Sequence, residues 1–286
     1  MLNIGGLAVQ LRGGESVERA MRLSGMSIFR SADTIPQLTF ELDTPQADIE
    51  CRELHRFKIL DGAEECVFGI DSGGVYRYIF SGGGAVSIDP REECIARCTA
   101  MDQYSKLRLA LWISYGMTAA RYGRMPIHAS AVVNDGRAVL CLGESGTGKS
   151  THTRLWLKNI ESTHLLNDDS PIVSVEEVAA GGCARAYGSP WSGKTACFRQ
   201  ESHPVASLLR LMQRQENSIR RVSKLEAFCA LQPSCPPAMG HDERLLDMVT
   251  GFVGKVISTT PVYIMGCLPN DEAALMSHKA IMVDNL

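Results

Sequence analysis

Gly143-Glu144-Ser145-Gly146-Thr147-Gly148-Lys149-Ser150 follows the apolar run Ala138-Val139-Leu140-Cys141-Leu142 and precedes Thr151-His152-Thr153-Arg154-Leu155-Trp156-Leu157. A buried strand, a turn of small residues and a helix succeed one another. The pattern G-x-x-x-x-G-K-[ST] needs that context, because its backbone N–H groups bind phosphate only where they point into a concavity at a helix N-terminus. The stretch therefore predicts an α/β domain with a phosphate loop of Walker A type, holding a nucleoside triphosphate, expected to be ATP, with Mg2+. Lys149 is expected to reach the β- and γ-phosphates and Ser150 to ligate Mg2+. Backbone N–H groups of Gly146 to Lys149 are expected to hold the β-phosphate. Gly143, Ser145 and Thr151 complete the expected nucleotide-binding set.

The same pattern recurs at Gly188-Ser189-Pro190-Trp191-Ser192-Gly193-Lys194-Thr195. There Pro190 removes a donor N–H, Trp191 is bulky, and the preceding Cys183-Ala184-Arg185-Ala186-Tyr187 makes a poor buried strand. Context assigns the nucleotide to the first match and not to the second.

Outward from the loop, Asn134-Asp135-Gly136 joins two strand-like runs, Ile127 to Val133 and Ala138 to Leu142, as a hairpin. Downstream, a helix is expected from Lys149 to about Asn159 and a strand from His164 to Leu166. Further helices are expected at Pro204 to Gln215, Lys224 to Leu231 and Asp242 to Ile257, the middle one opened by a Ser223–Glu226 capping box. A strand at Val262 to Cys267 and a helix from near Asn270 follow. Upstream, residues 27 to 100 carry short strand-like runs (Leu38 to Phe40, Val67 to Ile70, Val75 to Phe80) broken by Gly, Asp and Ser, with Ser81 to Gly84 as a turn. Leu107, Leu111, Tyr115 and Thr118 recur at helical spacing. The expected organisation is a β-rich N-terminal region at 1–101, a connecting helix at 102–125 and a phosphate-loop domain at 126–286.

Asp168-Asp169 ends the strand after the phosphate-loop helix, where carboxylates can reach a metal and the γ-phosphate. A turn before Ser170-Pro171 would equally account for them. His128 lies on the strand leading into the hairpin and can sit near the same phosphate. The other histidines form no pattern in the sequence.

In their order, His128-Ala129-Ser130-Ala131-Val132-Val133, Gly143–Ser150 and Asp168-Asp169 resemble the catalytic domain of HPr kinase/phosphorylase and its serine-kinase-like relatives, over roughly residues 125 to 280. That domain is itself similar to the nucleotide-binding part of ATP-dependent phosphoenolpyruvate carboxykinase. The resemblance implies an α/β P-loop kinase domain of that type beside a smaller β-rich region. It implies that Asp169 acts as a base toward a hydroxyl, that Asp168 contributes to the metal or phosphate environment, and that His128 supports both electrostatically. Lys194 is implied as a contact to the transferred phosphate or the substrate, with Trp191 packing. That family's second signature carries a metal-binding Glu beside an Arg-Gly step. Here the region reads Arg185-Ala186-Tyr187-Gly188-Ser189-Pro190-Trp191, so no Glu is carried over.

Composition bounds the rest. The 286 residues are 45% hydrophobic and 21% charged, enough for a sizeable core. A net charge of −3 gives no reason to expect nucleic acid or a membrane as partner. Met1 to Arg12 lacks the features of a signal peptide, and a cytoplasmic location is expected. Ten cysteines are scattered without a C-x-x-C, and Cys94 and Cys98, a helical turn apart, lack partners for a zinc set. Reduced, mostly buried thiols are expected. The expected function is a kinase transferring the γ-phosphate of ATP to a hydroxyl on a peptide, a protein serine or a small metabolite, in a chain free to form a homo-oligomer. A non-catalytic nucleotide-binding regulator is the alternative. A decarboxylating carboxykinase would need substrate-binding Arg and metal-binding His or Lys that the sequence does not display.

Overall fold

A computed structural model describes residues 1–32, 34–46, 50–92 and 94–284. It is mixed α/β, with two mixed sheets and six α-helices among the described residues. The chain divides into two compact units, Met1–Tyr122 with Ala238–Leu246, and Gly123–Pro237 with Asp247–Leu286.

The first unit holds an eight-stranded sheet. Its strands are β1 (Leu2–Ile4), β2 (Leu7–Arg12), β3 (Leu38–Glu41), β4 (Cys51–Ile59), β5 (Glu64–Asp71), β6 (Tyr76–Phe80), β7 (Ala85–Ile88) and β8 (Ile95–Cys98). Spatial order is β1-β2-β3-β8-β7-β6-β5-β4, antiparallel except where β3 runs parallel to β2 and β8. Helix α1 (Glu15–Arg22) follows β2, and α2 (Tyr104–Ala119) covers the sheet at β3, β7 and β8. The helix expected as a connector is thus counted with the first unit. Segment 238–246 belongs here too: Asp242 accepts a 2.8 Å hydrogen bond from the Tyr76 hydroxyl, and His241 stacks on His55. Cys94 and Cys98 do not share a helix face, because Ile95–Cys98 is extended.

The second unit carries a nine-stranded sheet. In chain order its elements are β9 (Arg124–Pro126), β10 (Ala129–Asn134), β11 (Arg137–Leu142), α3 (Lys149–Asn159), β12 (Thr163–Asn167), β13 (Ile172–Ser174) and β14 (Arg185–Tyr187). They continue with β15 (Ser202–Gln213), β16 (Ser218–Arg221), α4 (Lys224–Leu231), α5 (Glu243–Thr259, counted here from Asp247), β17 (Val262–Cys267) and α6 (Asp271–His278). The hairpin forms with Asn134 opposite Arg137, so Asp135 and Gly136 make the turn at φ 47° and 72°, the left-handed pair a tight hairpin requires. The Ser223–Glu226 capping box opens α4 as expected.

Three expectations change. Pro204 to Gln215 is not a helix but most of β15, pairing in parallel with β11 and β17 and antiparallel to β14. Its Leu209 and Leu211 join Val139, Cys141, Tyr263 and Met265 in a core roofed by Trp156 of α3 and Ala273 and Ala274 of α6. Leu208 is also buried. A strand covered on both faces loses the alternation that marks a half-exposed one, and its leucines then read as helix formers. Residues 185–187 do form a strand, β14, held between β13 and β15 with Ala186 fully buried. His128 lies just outside β10, in the bend before Ala129.

All ten cysteines are free thiols, four buried, five half-buried and Cys229 exposed, so fewer are buried than expected. Among the described residues no helix is long and apolar enough to cross a membrane.

Candidate functional site

Between β11 and α3 the chain turns through Gly143 (φ 150°), Gly146 (φ 83°) and Gly148 (φ 103°), with Gly148 as the N-cap of α3. At Gly146 and Gly148 nothing lies within 4 Å of where a Cβ would stand, so the loop faces open space at the helix start. At Gly143 the reverse holds: a Cβ would lie 2.5 Å from Thr147 Oγ1. Thr147 closes the loop on itself, its Oγ1 donating to Glu144 O at 2.8 Å and its N–H to the same oxygen at 3.2 Å. One of the N–H groups expected to hold phosphate is thereby turned inward. Glu144 is paired with Arg210 at 2.7 Å, and Gln213 donates to Gly146 O at 3.1 Å, so β15 braces the loop from the side.

Lys149 is buried and its Nζ donates to Gly143 O (2.8 Å) and Glu144 O (3.2 Å), with His128 Nε2 at 2.9 Å. Burial lowers its affinity for a proton, while Asp169 and Glu144 nearby act in the opposite sense. An ammonium has three donors and no acceptor, so His128 Nε2 facing it must be the unprotonated nitrogen. The neutral ring then carries its proton on Nδ1, and that atom lies 3.4 Å from Asp169 Oδ1. Lys149, His128 and Asp169 stand in a row.

The acid pair is positioned by the residue before it. Asn167 Oδ1 accepts from the N–H groups of Asp169 (2.9 Å) and Ser170 (2.8 Å), a local turn that sends the two carboxylates different ways. Asp169 O accepts from Ala129 N at 2.9 Å, while its side chain remains about one-third exposed. Asp168 is buried: Oδ1 accepts from Ser130 Oγ at 2.7 Å and Oδ2 from Thr195 N at 3.3 Å. Ser130 Oγ also lies 3.0 Å from Thr153 Oγ1, one turn into α3. Ser150 and Thr151 occupy the first turn of α3 and are half-buried.

The second glycine-lysine segment comes to the acid pair. Ser189 Oγ donates to Ser170 O at 2.7 Å, and Asn167 Nδ2 donates to Ser189 O at 3.3 Å. Trp191 is buried, while Lys194 is exposed. A Cβ at Gly193 would stand 2.7 Å from Asp168 O and 3.3 Å from Asp169 Cβ, so only glycine permits this approach. The sequence reading missed the supporting residues Ser130, Thr153, Asn167 and Thr195. For Ser130, Thr153 and Thr195 the partner is distant along the chain, and Asn167, whose partners are its near neighbours, is an ordinary turn residue in the sequence.

A depression of about 430 Å³ borders the glycine-rich loop, lined by Glu144 to Thr147 and Arg210 to Arg214. Larger ones of 790 Å³ in the first unit and 1020 Å³ beside Arg214 and Arg220 are lined by neither the acid pair nor Lys149. The convergence of charged groups, rather than cavity size, marks the site.

No protein-family model and no curated protein matches this sequence. Among solved structures, the chain is similar to the Hpr(Ser) kinase/phosphatase from Coxiella burnetii at 14% identity and a TM-score of 0.31, over 55% of this chain and 97% of that one. A likeness this loose has no bearing on the reaction.

Proposed function

We propose that the second unit is a P-loop kinase that moves the γ-phosphate of Mg2+-ATP to a hydroxyl group on a peptide, a protein serine or a small metabolite. The observation that carries this reading is the row Lys149–His128–Asp169, with spacings of 2.9 and 3.4 Å, beginning at the mouth of a helix N-terminus. Phosphoryl transfer asks a protein for positive charge on the phosphates, oxygen ligands for a metal, and a group that takes the acceptor's proton.

The residues suit those tasks. The open space over Gly146 and Gly148 leaves the loop backbone accessible to phosphate oxygens. Lys149 would exchange its two loop carbonyls for phosphate oxygens. Ser150 and Asp168 offer the hard oxygen donors that Mg2+ takes, and the bound ion would neutralise charge on the phosphates. Asp169, half-open to solvent, is the base for the acceptor hydroxyl, and the His128 Nδ1–H orients it. The depression beside Arg210 and Gln213 is where the rest of the nucleotide is accommodated.

The alternative, a nucleotide-binding regulator without turnover, is favoured by one feature: the loop satisfies itself, with the Lys149 donors and the Thr147 N–H already engaged inside the protein. ATP labelled at the γ-phosphate, incubated with the full chain and a lysate of its host, separates the two. Transfer of label to an acceptor, lost in Asp169→Asn, is the expected result. Bound nucleotide with no labelled species would leave the regulator reading standing.

A further inference from the structure

We infer that His164, Glu201 and His203 form a site for a zinc-class divalent cation, separate from the nucleotide site. His164 stands 37 residues before Glu201, which lies next but one to His203, and the fold gathers their ligand atoms within 4.8 Å of one another. His164 Nε2 lies 2.9 Å from Glu201 Oε1, and His203 Nε2 lies 3.7 Å from Glu201 Oε2. Two ligand atoms at zinc bond lengths on a tetrahedral ion stand roughly 3.3 Å apart, so these spacings bracket what an ion between them needs.

The state of His203 points to a ligand. Its Nδ1 lies 3.2 Å from Gly136 O at the hairpin turn. A carbonyl only accepts, so Nδ1 carries a proton, and in the neutral ring Nε2 presents a lone pair. That Nε2 is buried and has no hydrogen-bond partner. An imidazole whose far nitrogen donates to a backbone carbonyl, leaving a buried lone pair aimed at a second His and a carboxylate, is how metal-binding histidines are prepared. His164 Nε2, if it carries the proton shared with Glu201, releases it or shifts it to Nδ1 as the ion binds.

Two imidazoles and one carboxylate make a borderline donor set, suited to Zn2+ rather than to Mg2+ or Ca2+. One anionic ligand leaves a net positive centre, with remaining positions for water. Arg199, 3.7 Å from Glu201 and nearly half exposed, is the competing cation and is free to swing away. His164 precedes Asp168 by four residues of extended chain, roughly 13 Å, so this ion is not the one on the phosphates. It would instead close the base of segment 188–201, whose ends meet where Gly188 N donates to Glu201 O.

The test titrates the full chain with Co2+ and Zn2+ in the presence of excess Mg2+. One equivalent of Co2+ should give visible d–d bands of nitrogen and oxygen ligation without thiolate-to-metal charge transfer, which separates this site from the ten cysteines. Zn2+ should displace it and slow amide exchange across residues 188–201. His164→Gln and His203→Gln, checked for folding by circular dichroism, should each weaken binding more than about tenfold. Absence of stoichiometric binding, a thiolate signature, or affinity unchanged in both folded variants would overturn the site. ATP binding measured on the same samples is independent of either outcome.

Discussion

At the scale of single residues, the proposed chemistry rests on which atom carries which proton. Lys149 can only donate, so His128 presents a bare Nε2 to it and an Nδ1–H toward Asp169. Asp169→Asn keeps the shape and removes the base, and is expected to lower acceptor-dependent ADP formation by about 10²- to 10⁴-fold. ATP affinity, measured by calorimetry, should change little. His152 makes a prediction about pH. It is buried, and its Nε2 lies 3.3 Å from Trp156 Nε1 and 3.0 Å from Ser277 Oγ. An indole N–H only donates, so this nitrogen must stay unprotonated, and burial pushes its pKa down to about 4 from 6.5. The unfolded chain therefore binds the extra proton first. This contribution to stability is full above pH 6.5 and is lost as pH falls toward 4, by about 3 kcal/mol. Urea midpoints at pH 7.5 and 4.5 should differ less in His152→Gln than in the parent chain.

Elements show where the sequence was legible and where it was not. α3, α4 and β17 were placed within a residue, because caps, glycines and apolar runs announce them locally. β15 was misread, since burial on both faces removes the alternation that distinguishes a strand. No helix follows the second glycine-lysine segment, and its place against Asp168 follows only from tertiary packing. Gly193→Ala drives a methyl group into the Asp168 carbonyl. It should reduce phosphotransfer by about 100-fold through misplacement, with ATP affinity retained. The cap of α6 offers a control. Asn270 accepts from Ala273 N at 3.0 Å, so Asn270→Ala should cost about 1 kcal/mol in denaturation while leaving nucleotide affinity untouched.

For the molecule as a whole, the proposed nucleotide site is built within one unit, from β10, β11, α3, β12 and the segment between β14 and β15. Binding to this folded arrangement and not to the unfolded chain must stabilise it. ATP with Mg2+ at 100 times its dissociation constant should add about 2.7 kcal/mol, seen as a rise in melting temperature that Lys149→Met abolishes. A rise unchanged in that variant would place the nucleotide elsewhere.

By itself the sequence determined the glycine-rich loop, the hairpin before it, the helix after it and the candidacy of Asp168, Asp169 and His128. All of these are written in near neighbours, where glycine torsions, turn residues and caps act over a few positions. Tertiary structure alone decided that Lys149, His128 and Asp169 form a row and that Ser130 and Thr195 hold Asp168. It also decided that His164 meets Glu201 and His203. Those contacts join a helix, loops and strand ends far apart in the chain, and such a meeting leaves no periodic trace in either partner.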